Sequence, residues 1–174
     1  TAALRGALAQ AGSREQLLTL RTEGIPFGHE RMLRADTGYA HPLEFVGTMP
    51  EMDWLPTSRE ARWIIRDPAT GQENDAIRWH FHVGDRVRLR LRNDRSVLHP
   101  MAHPIHLHGQ RFLVLARNGV PQERLAWKDT AIVPVGGTVD LLVEMANPGK
   151  WMLHCHIAEH LSAGMATVLE VDPR

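Results

Sequence analysis

From Arg62 onward the sequence is a succession of short apolar runs, most of which end at residues typical of turns. In RVRLRLRN, Val87, Leu89 and Leu91 alternate with arginines, so an extended strand here has one apolar face and one charged face. Runs such as RFLVLAR, TVDLLVEM and MATVLEV follow, with Gly-Gly and Asn-Pro-Gly turns between them. Short strands at this spacing predict an antiparallel β-sandwich or barrel.

The first part of the chain lacks a sustained period of either kind. Residues 1 to about 24 show a weak helical pattern interrupted by Gly6 and Gly12, which predicts a short helix or a linker. Scattered Pro and Gly up to residue 60 predict a connecting segment. We therefore expect an N-terminal extension or linker over residues 1–60, of the kind that can derive from a preceding domain, and one domain over residues 61–174.

Composition excludes several classes of function. Twenty basic residues balance twenty acidic ones, so no excess of charge favours nucleic acid or an anionic membrane. No apolar run approaches the roughly 18 residues that a membrane span requires, and the N-terminal TAALRGALAQ lacks the features of a signal peptide. The single cysteine cannot form an internal disulfide, which leaves the redox compartment open.

Eleven histidines are many for this length, and most of them lie in HPMAHPIHLHG and HCHIAEH. If HCH is extended, His154 and His156 share one face and Cys155 lies on the other, so neighbouring residues can serve two metal centres. His160 and Met165 follow closely enough to join Cys155. A thiolate, two imidazoles and a weak axial thioether form a blue copper site, for which one imidazole is still missing.

The missing imidazole is available in HPIHLHG. His106 and His108 share a strand face, whereas His103, followed by proline, can point elsewhere. We assign His103 to the blue copper site. The remaining histidines form a second set, typical of copper that binds and reduces oxygen, although zinc also accepts imidazoles. This second set comprises His106, His108, His154 and His156.

HPIHLHG followed by HCHIAEHLSAGM resembles the C-terminal copper-binding cupredoxin domain of the multicopper oxidases, which include laccases and copper-resistance oxidases. The resemblance extends from about Arg62 to the C-terminus. It implies an all-β, cupredoxin-like Greek-key β-sandwich or barrel with a short irregular or helical N-terminal extension. It also implies a type 1 copper on His103, Cys155, His160 and Met165, a type 2 copper on His106, and a type 3 pair on His108, His154 and His156.

The resemblance further implies a laccase-like oxidase. A small reducing substrate, phenol-like or a metal ion, gives an electron to the type 1 copper near His160. The electron then passes through the catalytic tripeptide His154, Cys155 and His156 to a trinuclear cluster that reduces O2 to water. The family's cluster needs four further histidines, expected from an N-terminal cupredoxin domain or a second chain. The isolated chain is therefore expected to be inactive, and its parent protein to be periplasmic or secreted.

Two other functions remain open at this point: a stand-alone blue copper electron carrier, and a relative of copper nitrite reductase. The second histidine set has no role in a carrier, and the catalytic copper of a nitrite reductase needs fewer histidines from this domain. A further His-x-His, His80 and His82, lies in a strand that carries no ligand in the family, so we predict that neither binds metal. Asp129 in WKDT is expected either to hold a loop or a ligand histidine by a hydrogen bond or to be an ordinary turn residue.

Overall fold

The computed structural model describes residues 14–24, 62–94 and 101–174, and these residues form two β-sheets around one apolar core. The described strands are β1 (Arg14–Glu23), β2 (Arg62–Arg66), β3 (Trp79–His82), β4 (Arg86–Asn93), β5 (His103–Leu107), β6 (Arg111–Arg117), β7 (Val120–Pro121), β8 (Trp127–Lys128), β9 (Thr130–Val133), β10 (Thr138–Glu144), β11 (Gly149–Cys155) and β12 (Ala166–Asp172). A 3-10 turn spans Asn74–Ala76, and a short helix, α1, spans Ala158–Ser162.

Seven of the described strands form one sheet, in the order β2-β1-β4-β10-β6-β7 with β8 also paired to β6. Five form the other, in the order β3-β12-β11-β5-β9. Most neighbours are antiparallel, as predicted, but β1 is parallel to β4 and β3 is parallel to β12. Each parallel pair joins strands that are far apart in the sequence, so no local turn signal could reveal it.

The alternating pattern of RVRLRLRN is realised in β4. Val87, Leu89 and Leu91 are buried, and the arginines between them are exposed. On the outer face the Arg90 guanidinium makes two hydrogen bonds to the Asp140 carboxylate, of 2.6 and 2.9 Å. The arginine row is therefore a solvated strand face. The two sheets confirm the all-β, cupredoxin-like sandwich expected from the sequence.

Residues 14–23 form a strand, whereas the sequence indicated a short helix or a linker. The strand lies between β2 and β4, with Leu18, Leu20 and Thr22 buried and alternating with less buried residues. This alternation is too short to stand out in the sequence, because it is the pairing with two distant strands that stabilises it. The rest of the predicted extension, residues 1–13 and 25–60, lies outside the described residues, and the division at residue 61 remains a prediction.

The site histidines lie on the adjacent strands β5 and β11 of the five-stranded sheet and on the segments that directly follow these two strands. Within the described ranges, no helix has the length and apolar character required to cross a membrane.

Candidate metal centre

The antiparallel ladder between β5 and β11 sorts the candidate ligands. His154 is directly opposite His106, and Cys155 is opposite Ile105. Because successive side chains of a strand point to opposite faces, Cys155 and Ile105 are directed to the core side and the two histidines to the other side. His103, two residues before Ile105, is on the core side as well and is only 1% exposed.

A first group of ligand atoms lies in the core. Cys155 Sγ is 3.4 Å from His160 Nδ1 and 3.8 Å from His103 Nδ1, and the two nitrogens are 3.2 Å apart. All three side chains are buried, with exposures of 0% for the cysteine and 1% and 2% for the histidines. We call these three residues the thiol group.

The thiol group fits a metal ion. With metal–nitrogen bonds of about 2.0 Å and metal–sulfur bonds of about 2.3 Å, as found for zinc, the donors of a trigonal site lie roughly 3.5 to 3.8 Å apart. The observed separations of 3.2, 3.4 and 3.8 Å are close to these values. One thiolate and two imidazoles with these separations are the equatorial donors of a blue copper site.

Burial raises the pKa of the Cys155 thiol to about 12, and a hydrogen bond from the backbone N–H of Ile157 offsets this only in part. Without a bound cation the thiol is therefore protonated at neutral pH. A metal ion between the three donors stabilises the thiolate, because metal binding displaces the proton.

Met165, the expected axial ligand, is fully buried and is held close to Cys155 by the backbone. The Cys155 N–H donates to the Met165 carbonyl (3.1 Å), and the Met165 N–H donates to the His160 carbonyl (2.9 Å). These two bonds fold the segment after β11 back onto the strand end. The assignment of the Met165 thioether as an axial ligand remains a prediction.

A second group of imidazoles lies on the other face of the sheet. Potential ligand nitrogens of His106, His108 and His154 all lie within 4.8 Å of one another, and His108 Nε2 is 3.0 Å from His154 Nε2. The ring of His156 is 5.7 Å from that of His106 and 5.8 Å from that of His154. We call these four residues the imidazole group, and they are the four that the sequence assigned together.

Backbone carbonyls orient two of these rings. His106 Nδ1 is 3.0 Å from the Asp129 carbonyl, and His154 Nδ1 is 2.8 Å from the Cys155 carbonyl. Because a carbonyl oxygen only accepts, each Nδ1 carries the proton and donates it, which leaves both Nε2 lone pairs for a metal. Such a partner for the second ring nitrogen is the usual arrangement at histidine metal sites.

Asp129 holds His106 as the sequence suggested, but mainly through its backbone. Its carboxylate Oδ1 is 3.9 Å from His106 Nδ1, whereas its carbonyl accepts from the ring and also from the Leu107 N–H (3.0 Å). The carboxylate accepts instead from the Thr130 hydroxyl, whose oxygen lies 3.0 Å from the ring nitrogen. Asp129 and Thr130, at the start of β9, therefore hold the His106 ring through its Nδ1 atom and leave Nε2 for the imidazole group.

His80 and His82 lie apart from both groups. They are exposed on β3, where His80 contacts Glu170 (3.6 Å) and Asp172 (3.4 Å) of β12. In the ladder between β11 and β12, Glu170 is opposite Lys150 near the start of β11. The contacts of His80 therefore lie at the opposite end of β11 from His154 of the imidazole group. His80, Glu170 and Asp172 thus form a third set of potential ligand atoms, exposed or half-buried and separate from both groups, and Lys150 lies 3.6 Å from Glu170. That His80 and His82 bind no metal remains a prediction.

The sequence did not single out Trp63, although it contacts both imidazoles of the thiol group. Its indole stacks on His160 with 3.6 Å between ring centroids and 21° between planes, and it meets His103 edge-on at 5.6 Å. No local pattern in RWIIR marks this tryptophan, because the contact depends on where β2 packs.

Comparison with known proteins identifies the class to which this fold and these ligand groups belong. A family model described as "Multicopper oxidase" matches residues 46–174, and the chain therefore belongs to the multicopper oxidase family. The curated relatives that the chain matches include proteins named as a multicopper oxidase and as a laccase.

Individual relatives agree with this class. The multicopper oxidase MmcO of Mycobacterium tuberculosis is 34% identical over 129 residues, covering 74% of this chain and 22% of that protein. A laccase of Arthroderma benhamiae is 33% identical over 113 residues, covering 60% of this chain and 17% of that protein. The chain spans between 17% and 27% of the length of the first curated relatives that it matches.

Solved structures give the same result for the fold. The 2F4 variant of the McoA multicopper oxidase from Aquifex aeolicus is 26% identical, with a TM-score of 0.57 over 92% of this chain and 30% of that one. The blue copper oxidase of Nitrosomonas europaea is 20% identical, with a TM-score of 0.61 over 94% of this chain and 45% of that one. The second similarity supports the fold alone.

Proposed function

We propose that this chain is the C-terminal cupredoxin domain of a multicopper oxidase that couples oxidation of a small reducing substrate, phenol-like or a metal ion, to reduction of O2 to water. The observation that carries the proposal is the tripeptide of His154, Cys155 and His156. Its thiol belongs to one ligand group, and its two imidazoles belong to the other.

In this proposal His103, Cys155, His160 and Met165 would hold a type 1 copper. His106 holds a type 2 copper, and His108, His154 and His156 hold the type 3 pair. Copper bound at these groups would supply one-electron redox chemistry at the thiol group and oxygen reduction at the imidazole group.

The protein's own residues supply placement and insulation. Burial of His103, Cys155 and His160 excludes water from the thiol group, which strengthens electrostatic interactions there. The backbone bonds from Cys155 to His154 and His156 connect the two groups directly, and hydrogen bonds hold the two histidines in place. The His154 ring donates to the Cys155 carbonyl, and the His156 N–H donates to the Pro104 carbonyl (2.7 Å).

We also propose that a partner completes the imidazole group with four further histidines, either from an N-terminal cupredoxin domain or from a second chain. Two features support this. His156 is exposed, so the group faces outward, and the relatives that the chain matches are several times longer. We place the parent protein in the periplasm or outside the cell.

The imidazole group also separates this function from the alternatives. A stand-alone blue copper carrier needs only the thiol group, and would gain nothing from orienting His106 and His154 toward a common point. A nitrite reductase needs fewer histidines from this domain than the four that converge here. Turnover of oxygen or of nitrite by the full-length parent protein separates the two enzymes.

The test is copper loading of the 174-residue chain, followed by copper analysis and by visible and paramagnetic-resonance spectra. We expect an intense thiolate-to-copper band and no oxygen uptake until the partner domain is added. A His154→Ala, His156→Ala double variant should keep the band but not support oxygen uptake with the partner. A copper-loaded chain without the band would contradict the proposal.

A further inference from the structure

We propose that Trp63 is a positioning residue of the thiol group: its indole holds the His160 imidazole and shields it from water, and so tunes the reduction potential of copper bound there. The inference rests on the proposed function, because it assumes copper on His103, Cys155 and His160. It adds a residue that is not a ligand and that lies on the opposite sheet of the sandwich.

The indole contacts both imidazoles of the thiol group. It lies nearly parallel to the His160 ring, with centroids 3.6 Å apart, and perpendicular to the His103 ring at 5.6 Å. One flat surface thus restricts the tilt of His160, while an edge contact restricts His103. Trp63 is 6% exposed and His160 is 2% exposed, so the stacked pair is buried together.

The backbone fixes Trp63 from both sides. Its N–H donates to the Ala163 carbonyl (3.2 Å), which follows α1 in the segment that carries His160 and Met165. Its carbonyl accepts from Asn74 Nδ2 (3.1 Å), and Asn74 Oδ1 accepts from the Ile65 N–H (2.7 Å). Trp63 therefore belongs to a strand whose backbone is hydrogen-bonded both to the segment that carries His160 and Met165 and to Asn74 of the 3-10 turn.

Gly164 allows this close approach. Its φ of +106° is a conformation that other residues rarely adopt. A Cβ there would lie 3.0 Å from Asn74 Nδ2 and 3.6 Å from the Trp63 carbonyl. The segment that carries His160 and Met165 therefore packs closely against β2 at Gly164. This close packing supports a positioning role for the contact with β2 rather than incidental core packing.

The physical consequence concerns the balance between oxidised and reduced copper. The oxidised site carries one more positive charge than the reduced site, and a charge is less stable where water is excluded. Removing the indole admits water, which stabilises the higher charge of the oxidised form, so the reduction potential should fall.

Trp79 provides a matched control. It is also 6% exposed, but its Nε1–H donates to Asp67 Oδ2 (3.0 Å), and its described ring contact is with Phe81. Trp63→Leu and Trp79→Leu remove the same volume from the same core. Trp79→Leu also removes the hydrogen bond to the buried Asp67, so a generic loss of stability should disturb the copper signals of this variant at least as much, whereas a positioning role should alter those signals only in Trp63→Leu.

The experiment compares the copper-loaded wild-type chain with Trp63→Leu, Trp63→Phe and Trp79→Leu by redox titration, by the thiolate absorption band and by the copper hyperfine splitting. For Trp63→Leu we expect the ratio of oxidised to reduced copper at a fixed potential to rise by roughly twofold to tenfold, the range for one aromatic contact, with an altered hyperfine splitting. Trp63→Phe retains a ring and should shift less in the same direction. Trp79→Leu should lower stability and leave the site's signals unchanged.

The outcomes separate this inference from the proposed function. A wild-type chain without a thiolate band would end the proposed function itself. A wild-type band together with an unchanged potential and hyperfine splitting in Trp63→Leu would overturn only the role of Trp63, as would equal shifts in Trp63→Leu and Trp79→Leu. If Trp63→Leu does not fold, Trp63→Phe decides, and the absence of any shift in that variant counts against the inference.

Discussion

Cys155 and His154 are covalent neighbours, yet they belong to different ligand groups. Cys155 Sγ is 3.4 Å from His160 Nδ1 in the core, while His154 Nε2 is 3.0 Å from His108 Nε2 on the other side of the sheet. Strand alternation alone produces this separation, because adjacent side chains leave the backbone in opposite directions. A single strand end can thus serve two metal centres without any insertion in the chain.

Cys155→Ser is expected to abolish the thiolate absorption band and to remove the copper held by the thiol group. A serine hydroxyl is a harder ligand than a thiolate, and it does not ionise in a buried site. Copper content per chain and the visible spectrum measure the change. His82→Ala is the control and should keep the band. A Cys155→Ser chain that still shows the intense band would refute the assignment of this cysteine.

His80→Ala combined with His82→Ala is expected to leave the copper content and the thiolate band unchanged. Both side chains are exposed on β3, and the contacts of His80 are with the carboxylates of Glu170 and Asp172. The loss of such exposed polar contacts should change the free energy of unfolding by about 1 kcal/mol or less. Copper analysis with denaturant unfolding tests both statements, and a loss of copper would show that β3 contributes ligands.

The fold class and the division of the candidate ligands into two groups were accessible from the sequence for a common reason. Both depend on the alternation of side chains along a strand, which is a local property. Val87, Leu89 and Leu91 therefore indicated a buried strand face, and the same parity separated Cys155 from His154.

What the sequence did not reveal depends on packing between distant segments. Residues 14–23 form a strand because they pair with β2 and β4, not because of a strong pattern of their own. Trp63 contacts His160 because β2 packs against the segment after α1, nearly 100 residues later along the chain. His106 likewise donates a hydrogen bond to the backbone carbonyl of Asp129, and the pattern of side chains in the sequence does not predict a backbone contact of this kind.

In the metal-free folded chain, Cys155 is expected to react very slowly with a thiol-alkylating reagent. Its side chain is 0% exposed, and its pKa is raised to about 12 by burial. At pH 8 only about one thiol in ten thousand is then ionised, against roughly a quarter for an ordinary cysteine, so labelling should be about a thousandfold slower than in the unfolded chain or more. Labelling rates with and without denaturant measure this. Equal rates would show that the thiol group is open to solvent.

Gly109→Ala is expected to destabilise the chain strongly, because this glycine lies in the turn that follows β5, next to His108. Its φ is +60°, and an added Cβ would lie 2.0 Å from Cε3 of Trp151. Trp151 is held in turn by a hydrogen bond from its Nε1–H to the Asn147 carbonyl (2.9 Å), so the ring cannot easily move away. Left-handed strain and overpacking together should lower the free energy of unfolding by about 2 to 5 kcal/mol.

Gly119→Ala is the matched control for this prediction. Its φ is +78°, but an added Cβ there would meet nothing within 4 Å, so only the backbone strain of about 1 kcal/mol applies. Denaturant unfolding of both variants measures the difference. A Gly109→Ala, Trp151→Ala double variant should lose less than the sum of the two single changes, because removing the indole relieves the clash. Equal losses in the two glycine variants would mean that the Trp151 ring does not restrict the end of β5.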